Sequence, residues 1–150
     1  MAYWLMKSEP DCFSIDDLSR GPALWDGVRN YQARNYLAEM QADDLFLFYH
    51  SSCQPPGIAG IGRIDGQARP DLSALDPAAA GYDPRSTEQQ LPWVAVPVVF
   101  QKKFAALLSL AQIRTLEDLE ALPLLARGSR LSVMPVTPEQ WQILLNAAGK

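Results

Sequence analysis

Residues 57–64 read Gly57-Ile58-Ala59-Gly60-Ile61-Gly62-Arg63-Ile64. Ile58, Ile61 and Ile64 ask for burial, and the run has the length of a strand ending near Asp65. Three glycines inside one strand are unusual. Glycine weakens strand pairing, but it permits bends, bulges and the close approach of another backbone. A tightly coiled sheet or small barrel needs such bends, and this requirement constrains the rest of the chain.

The neighbouring segments supply partners for such a sheet. Tyr3 to Lys7 reads as a strand, closed by Pro10. Leu45 to His50 is apolar on both faces and rich in aromatics, as a buried strand is. Trp93 to Phe104 alternates Val94, Val96, Val98 and Phe100 on one face; Pro97 cannot donate to a ladder, so an edge or a bulge is expected there. Ser129 to Val136 is the last expected strand. Helices are short. Ser14 with Asp17 forms a capping box for one starting at Ile15, and Asn30 caps one from about Tyr31 to Met40. Ser109 and Thr115 each read as caps. Thr137-Pro138-Glu139-Gln140 opens a C-terminal helix whose buried stripe is Trp141, Leu144, Leu145 and Ala148, with Gly149 ending it. Residues 67–92 hold Pro70, Pro77, Pro84 and Pro92 and read as one long irregular connection, a place where function often gathers. Four to six strands with short helices make an α+β fold around a strongly bent sheet, in one domain over residues 1–150.

Several chemistries are absent from the pattern. The sequence has one histidine, His50, and no HExxH or paired CxxC, so no metal site is expected. There is no GxGxxG and no phosphate-binding Walker loop. Cys12 and Cys53 are the only cysteines, which fits reduced thiols and a cytoplasmic location. No stretch approaches the length of a membrane span. A net charge of −4 gives no global attraction for nucleic acid, although a local basic surface remains open. Cys53 with His50 is the one pair from which a nucleophile and base can be drawn. His50 itself has three readings: a satisfied core histidine, a ligand contact or a base.

The densest functional signal is Trp25-Asp26-Gly27-Val28-Arg29-Asn30-Tyr31-Gln32-Ala33-Arg34-Asn35-Tyr36. Asp26-Gly27 marks a turn, so Trp25 is expected on a loop and the polar groups where a helix begins. An aromatic, amides and cations side by side suit a planar polar ligand such as a nucleobase. The competing reading is that Trp25 and Tyr31 plug the core beneath a loop.

Five segments together resemble one family: Tyr3 to Pro10, Trp25 to Asn35, Phe48-Tyr49-His50-Ser51-Ser52, Gly57 to Gly62, and Arg127-Gly128-Ser129-Arg130 running on to Thr137. In this order they resemble the EVE domain over nearly the whole chain. The resemblance implies a PUA-like pseudo-barrel of about five or six mostly antiparallel strands with short flanking helices, related to the YTH readers of methylated RNA. It implies a non-catalytic reader of a modified base, in DNA or RNA, without cofactor. The site residues it carries over are Lys7, Ser8, Glu9, Trp25, Asn30, Tyr31, Tyr49, His50, Arg127, Ser129 and Arg130. Trp25 and Tyr49 would be stacking walls, and Ser8, Asn30 and Ser129 would bond base edges. Lys7, Arg127 and Arg130 would meet phosphates or polar edges. Apart from the resemblance, Arg29 is expected to join them in replacing counterions on phosphates, and a monomer is expected. Alternatives are an enzyme acting on a nucleoside or small amide through Cys53 and His50, or a small-molecule module. The chain departs from the family pattern at Gly81-Tyr82, where two tyrosines are expected, and this takes one aromatic wall out of the long loop.

Overall fold

The computed structural model describes residues 1–149. In chain order its elements are β1 (Tyr3–Ser8), α1 (Ile15–Ser19), β2 (Ala23–Trp25), α2 (Tyr31–Glu39), β3 (Leu45–His50) and β4 (Gly57–Ile64), then β5 (Arg69–Pro70), β6 (Val94–Ser109), α3 (Leu110–Ile113), β7 (Val133–Val136) and α4 (Pro138–Ala147). Short 3₁₀ turns lie at Leu72–Leu75 and Pro123–Leu125. The strands form one sheet in the order β2-β6-β4-β3-β1-β7, with β5 paired to β6. Only β1 and β3 run parallel; every other pair is antiparallel. This is the bent, mostly antiparallel α+β sheet that the glycine strand requires.

The bends fall where the glycines are. Register slips between Ile58 and Gly60, and again between Ile61 and Gly62, as β4 pairs with β6. A side chain on Gly60 would strike the carbonyl oxygen of Lys102 in β6. One on Gly62 would strike the ring of Phe46, its cross-strand partner in β3. The glycines therefore allow both the bulges and the lie of the Phe46 ring across β4.

Side chains alternate across a strand, and here they sort into two cores. Trp4 and Met6 of β1, Phe46 and Phe48 of β3 and Ala59 of β4 join Trp25, Leu37 and Val96 in the first. Leu5, Leu47, Tyr49, Ile58 and Ile61 join Phe104, Leu108, Trp141 and Leu144 in the second. Helix α4 seals the second core, with Trp141 stacked on Tyr3 at 4.4 Å between ring centroids.

The caps form as the sequence demands. Ser14, Ser109 and Thr137 each close a reciprocal capping box, and the Asn30 side chain accepts from the Ala33 N–H at 2.9 Å. Five expectations need correction. Trp25 ends a short strand rather than lying on a loop, because β2 pairs with Val96–Val98 of β6. Strand β6 runs on to Ser109, whereas the last strand shrinks to Val133–Val136. Thr115 caps no helix; its hydroxyl donates to the carbonyl of Gln112 at 2.7 Å. Pro97 lies neither on an edge strand nor at a bulge. It sits opposite Leu24 and one step past the end of β4, where its carbonyl accepts from the Asp65 N–H at 2.8 Å, so its missing donor falls beyond that ladder.

Candidate functional site

A half-open cavity of about 600 Å³ lies where the first core reaches the surface. The end of β1 supplies Lys7 and Ser8; Phe13 comes from the turn that follows. Leu24 to Arg29 form one side, and Ser73, Ala79 to Gly81 and Ser132 complete the rim. Trp25 is only 6% exposed and sits edge-on to Phe46 and Phe48, at 5.5 and 5.2 Å between centroids, and to Phe13 at 5.9 Å. It is thus a core residue whose edge is also a cavity wall, and the choice between plug and wall posed by the sequence is a false one. Ser8 donates its hydroxyl hydrogen to the Phe13 carbonyl at 2.7 Å, fixing the turn that carries Phe13.

One strap holds the rim. The Asp71 carboxylate, 1% exposed, accepts from the Gly27 N–H at 2.8 Å, from Arg29 Nη1 at 2.9 Å, and from the Ser73 hydroxyl and N–H at 2.6 and 3.0 Å. Burial opposes this charge, but the bonds from Ser73, Arg29 and Gly27 outweigh it and hold the carboxyl below its usual range. Arg29 also donates to the carbonyls of Gly81 and Val28, at 2.8 and 2.9 Å. Its charge is thus committed inside the protein and is not available to a phosphate, contrary to the expectation from sequence. Gly81 has a reason to lack a side chain: a Cβ there would lie 2.8 Å from Arg29 Nη2 and 3.2 Å from Gly27 Cα.

Asp26 differs from Asp71. Among the described residues no side chain donates to its carboxylate, although it lines the cavity beside Trp25. Burial, reinforced by the nearby Asp71 charge, lifts its carboxyl above the usual range. The sequence reading used Asp26 only as a turn former, because nothing local shows which way a turn carboxylate faces.

The structure gathers Lys7, Ser8 and Trp25 at this cavity and distributes the other candidates elsewhere. Tyr49 is 3% exposed and belongs to the second core, so it does not wall the same pocket as Trp25; strand alternation puts Phe48 on the Trp25 side instead. The Lys7 ammonium, half-buried and held below its usual pKa by desolvation, lies 5.9 Å from the centroid of the Tyr49 ring. His50 is a satisfied histidine: its Nε2 accepts from the Ile15 N–H at 3.1 Å, one of the free donors at the start of α1. Desolvation keeps it neutral by lowering its pKa. The Cys53 thiol donates weakly to the Pro55 carbonyl at 3.6 Å, and neither Cys53 nor His50 lines a described cavity. The Asn30 side chain is occupied as a helix cap. Glu9, Arg127 and Arg130 are exposed and Ser129 partly so; none lines a described cavity, although Ser132 of the same segment does and accepts from the Lys7 N–H at 2.8 Å.

Tyr31 opens onto a second cavity, of about 760 Å³, on the other side of Arg29. Its ring packs 4.7 Å from Trp93, and the Arg34 guanidinium lies 5.2 Å from its centroid. Among the described residues no group of three His, Cys, Asp or Glu side chains is placed to hold a metal ion, and no helix is long and apolar enough to cross a membrane.

The same fold occurs in solved structures. A protein from Pseudomonas putida is 54% identical, with a TM-score of 0.96 over 98% of this chain and 99% of that one. Human THYN1, crystallised in complex with DNA containing 5-methylcytosine, is 36% identical, with a TM-score of 0.94 over 100% of this chain and 99% of that one. Mouse thymocyte nuclear protein 1 is 39% identical over 96% of this chain and 72% of its own length. With its PUA-like curled sheet, and with the EVE domain model matching residues 2–147, this chain belongs to the EVE domain family.

Proposed function

We propose that the domain is a non-catalytic reader that holds one modified base of a nucleic acid in the cavity walled by Trp25. The observation that carries this reading is the pairing, in one cavity, of an aromatic and apolar lining with the exposed carboxylate of Asp26, to which no side chain donates among the described residues. A volume of about 600 Å³ falls within the range of small-ligand pockets. Phe13, Leu24, Trp25 and Val28 suit a planar ring and an added methyl group. A carboxylate accepts from the exocyclic amine of cytosine and has nothing to accept from the 4-keto oxygen of thymine. The structure of human THYN1 with 5-methylcytosine DNA supports the same assignment by family.

Magnitudes say which contact must discriminate. Burying one methyl is worth about 0.8 kcal/mol, under tenfold in affinity. The choice among bases therefore rests on the polar edge, with Asp26 as the acceptor. The test is a panel of otherwise identical DNA and RNA oligonucleotides carrying cytosine, 5-methylcytosine, 5-hydroxymethylcytosine or thymine at one position. We expect 5-methylcytosine to exceed cytosine by less than tenfold, and to exceed thymine, which carries the same methyl, by more. Asp26→Asn should narrow that second gap, because an amide can donate to a keto oxygen. Equal binding across the panel would overturn the reading.

A further inference from the structure

The second cavity has no role in the reading above, yet it is the larger of the two and shares Arg29 with the first. Tyr31 and Tyr82, 57% and 43% exposed, both open onto it. Ligand sites are concave and lined by apolar and aromatic side chains, and this cavity offers both. Tyr31 is already engaged by Trp93 and Arg34, whereas Tyr82 has no aromatic or cationic partner among the described residues.

The charge balance of this cavity points to an anion. Asp83 is its only carboxylate among the lining residues, and that group is consumed internally. It accepts from Trp93 Nε1 at 2.8 Å, the Ser86 hydroxyl at 2.7 Å and the Arg85 N–H at 3.1 Å. Arg85 is exposed, and among the described residues its guanidinium has no ion pair or hydrogen bond. Of the two guanidinium groups among the lining residues, Arg29 is paired with Asp71 at 2.9 Å and Arg85 alone faces no carboxylate. A free aromatic face beside a free guanidinium is the combination that holds a nucleotide in a single strand: the base stacks and the phosphate meets the cation.

We infer that the cavity formed by Tyr82, Arg85, Tyr31 and Trp93 is a second nucleotide site, taking the neighbour of the base held beside Trp25, with Arg29 as the partition between two successive nucleotides. This rests on the first cavity being the modified-base site. It also gives Tyr31 a place in recognition that the first cavity does not offer.

Two single-stranded DNA heptamers test it. Both carry a central 5-methylcytosine; in one its two neighbours are thymines, in the other they are abasic. Wild-type protein should bind the thymine-flanked strand about 5- to 150-fold more tightly, the span of one base–aromatic contact. Tyr82→Ala should abolish that preference while leaving affinity for the abasic-flanked strand unchanged. Arg85→Ala should weaken both strands and make the salt slope shallower by about 0.7, one phosphate contact. Both side chains are exposed, and unchanged melting temperatures confirm the fold. Equal wild-type affinity for the two heptamers, or a preference that survives in Tyr82→Ala, would overturn the second site and leave the first standing. Failure of the wild type to bind either heptamer would remove both.

Discussion

The two faces of the sheet are built from the same strands and have opposite fates. On the second-core face, Leu5, Leu47, Tyr49 and Ile61 meet Trp141 and Leu144 of α4, and the core is sealed. On the first-core face, Phe46, Phe48 and Trp25 are as deeply buried, but the cover consists of α1, α2 and connecting segments, and it leaves cavities on both sides of Arg29. The difference lies in the cover and not in hydrophobicity. Helix α4, with Ile113 of α3 and Leu119, Leu122 and Leu124 of the segment that follows it, closes one face with apolar side chains, whereas the segments joined by the Asp71–Arg29 strap leave clefts lined by polar groups.

The largest expected effect comes from deleting matched tryptophans. Trp25→Ala and Trp141→Ala each truncate a side chain about 5–6% exposed, and each should cost about 3–5 kcal/mol of folding stability by chemical denaturation. Measured below the melting transition, affinity for a 5-methylcytosine oligonucleotide should fall for Trp25→Ala alone. Equal binding losses would erase the distinction between the faces.

The strap comes next. The pair between Asp71 and Arg29, with side chains 1% and 22% exposed, lies between the fully buried and surface cases, and Asp71→Ala should cost about 2–3 kcal/mol. Because the Asp71 pKa is lowered in the fold, its contribution is present above the ordinary aspartate value near 4 and is lost as pH falls through the folded value. The variant should lack that acid-side loss in a series of melts. An unchanged pH profile would remove Asp71 as the strap.

His50 gives the smallest effect. Its pKa is lowered, so the stability it contributes is present above about 6.5 and lost as pH falls toward the folded value. Melting temperature should decline modestly between pH 7 and pH 5 as the imidazole stops accepting from Ile15, and His50→Gln should flatten that decline. A wild-type profile flat across this range would show that His50 titrates normally.

What was legible in the sequence was what local chemistry decides. The glycine bulges of β4, the caps at Ser14, Asn30, Ser109 and Thr137, and the existence of β1, β3 and β4 as strands all follow from residues within a few positions of one another. The assignment of Tyr49 and Trp25 to one pocket failed because face is decided by register across strands: Tyr49 lies opposite Ile58, whose side chain faces the second core. Arg29 was misread for a related reason. Its partner Asp71 lies 42 residues away in a proline-rich stretch that carries no signal of a pairing. Asp26 and Tyr82 were visible as residues but not as site members, since neither spacing nor composition tells which way a turn carboxylate or a loop tyrosine faces.

The pairing of β1 has a consequence for how the domain is made. Its first strand, which ends in Ser8 at the cavity, lies between β3, more than forty residues ahead, and β7, about 130 residues ahead. During synthesis the N-terminal segment can settle against β3 early, but its other edge stays open until Val133–Val136 has emerged. Closing loops of that length before their contacts form makes such topologies slow to fold and leaves an unpaired strand edge exposed in the meantime. The wall of the cavity that ends in Ser8 is therefore among the last parts of the molecule to mature, and a chain shortened before residue 133 would carry nearly every cavity residue while lacking the strand that closes the sheet beneath them.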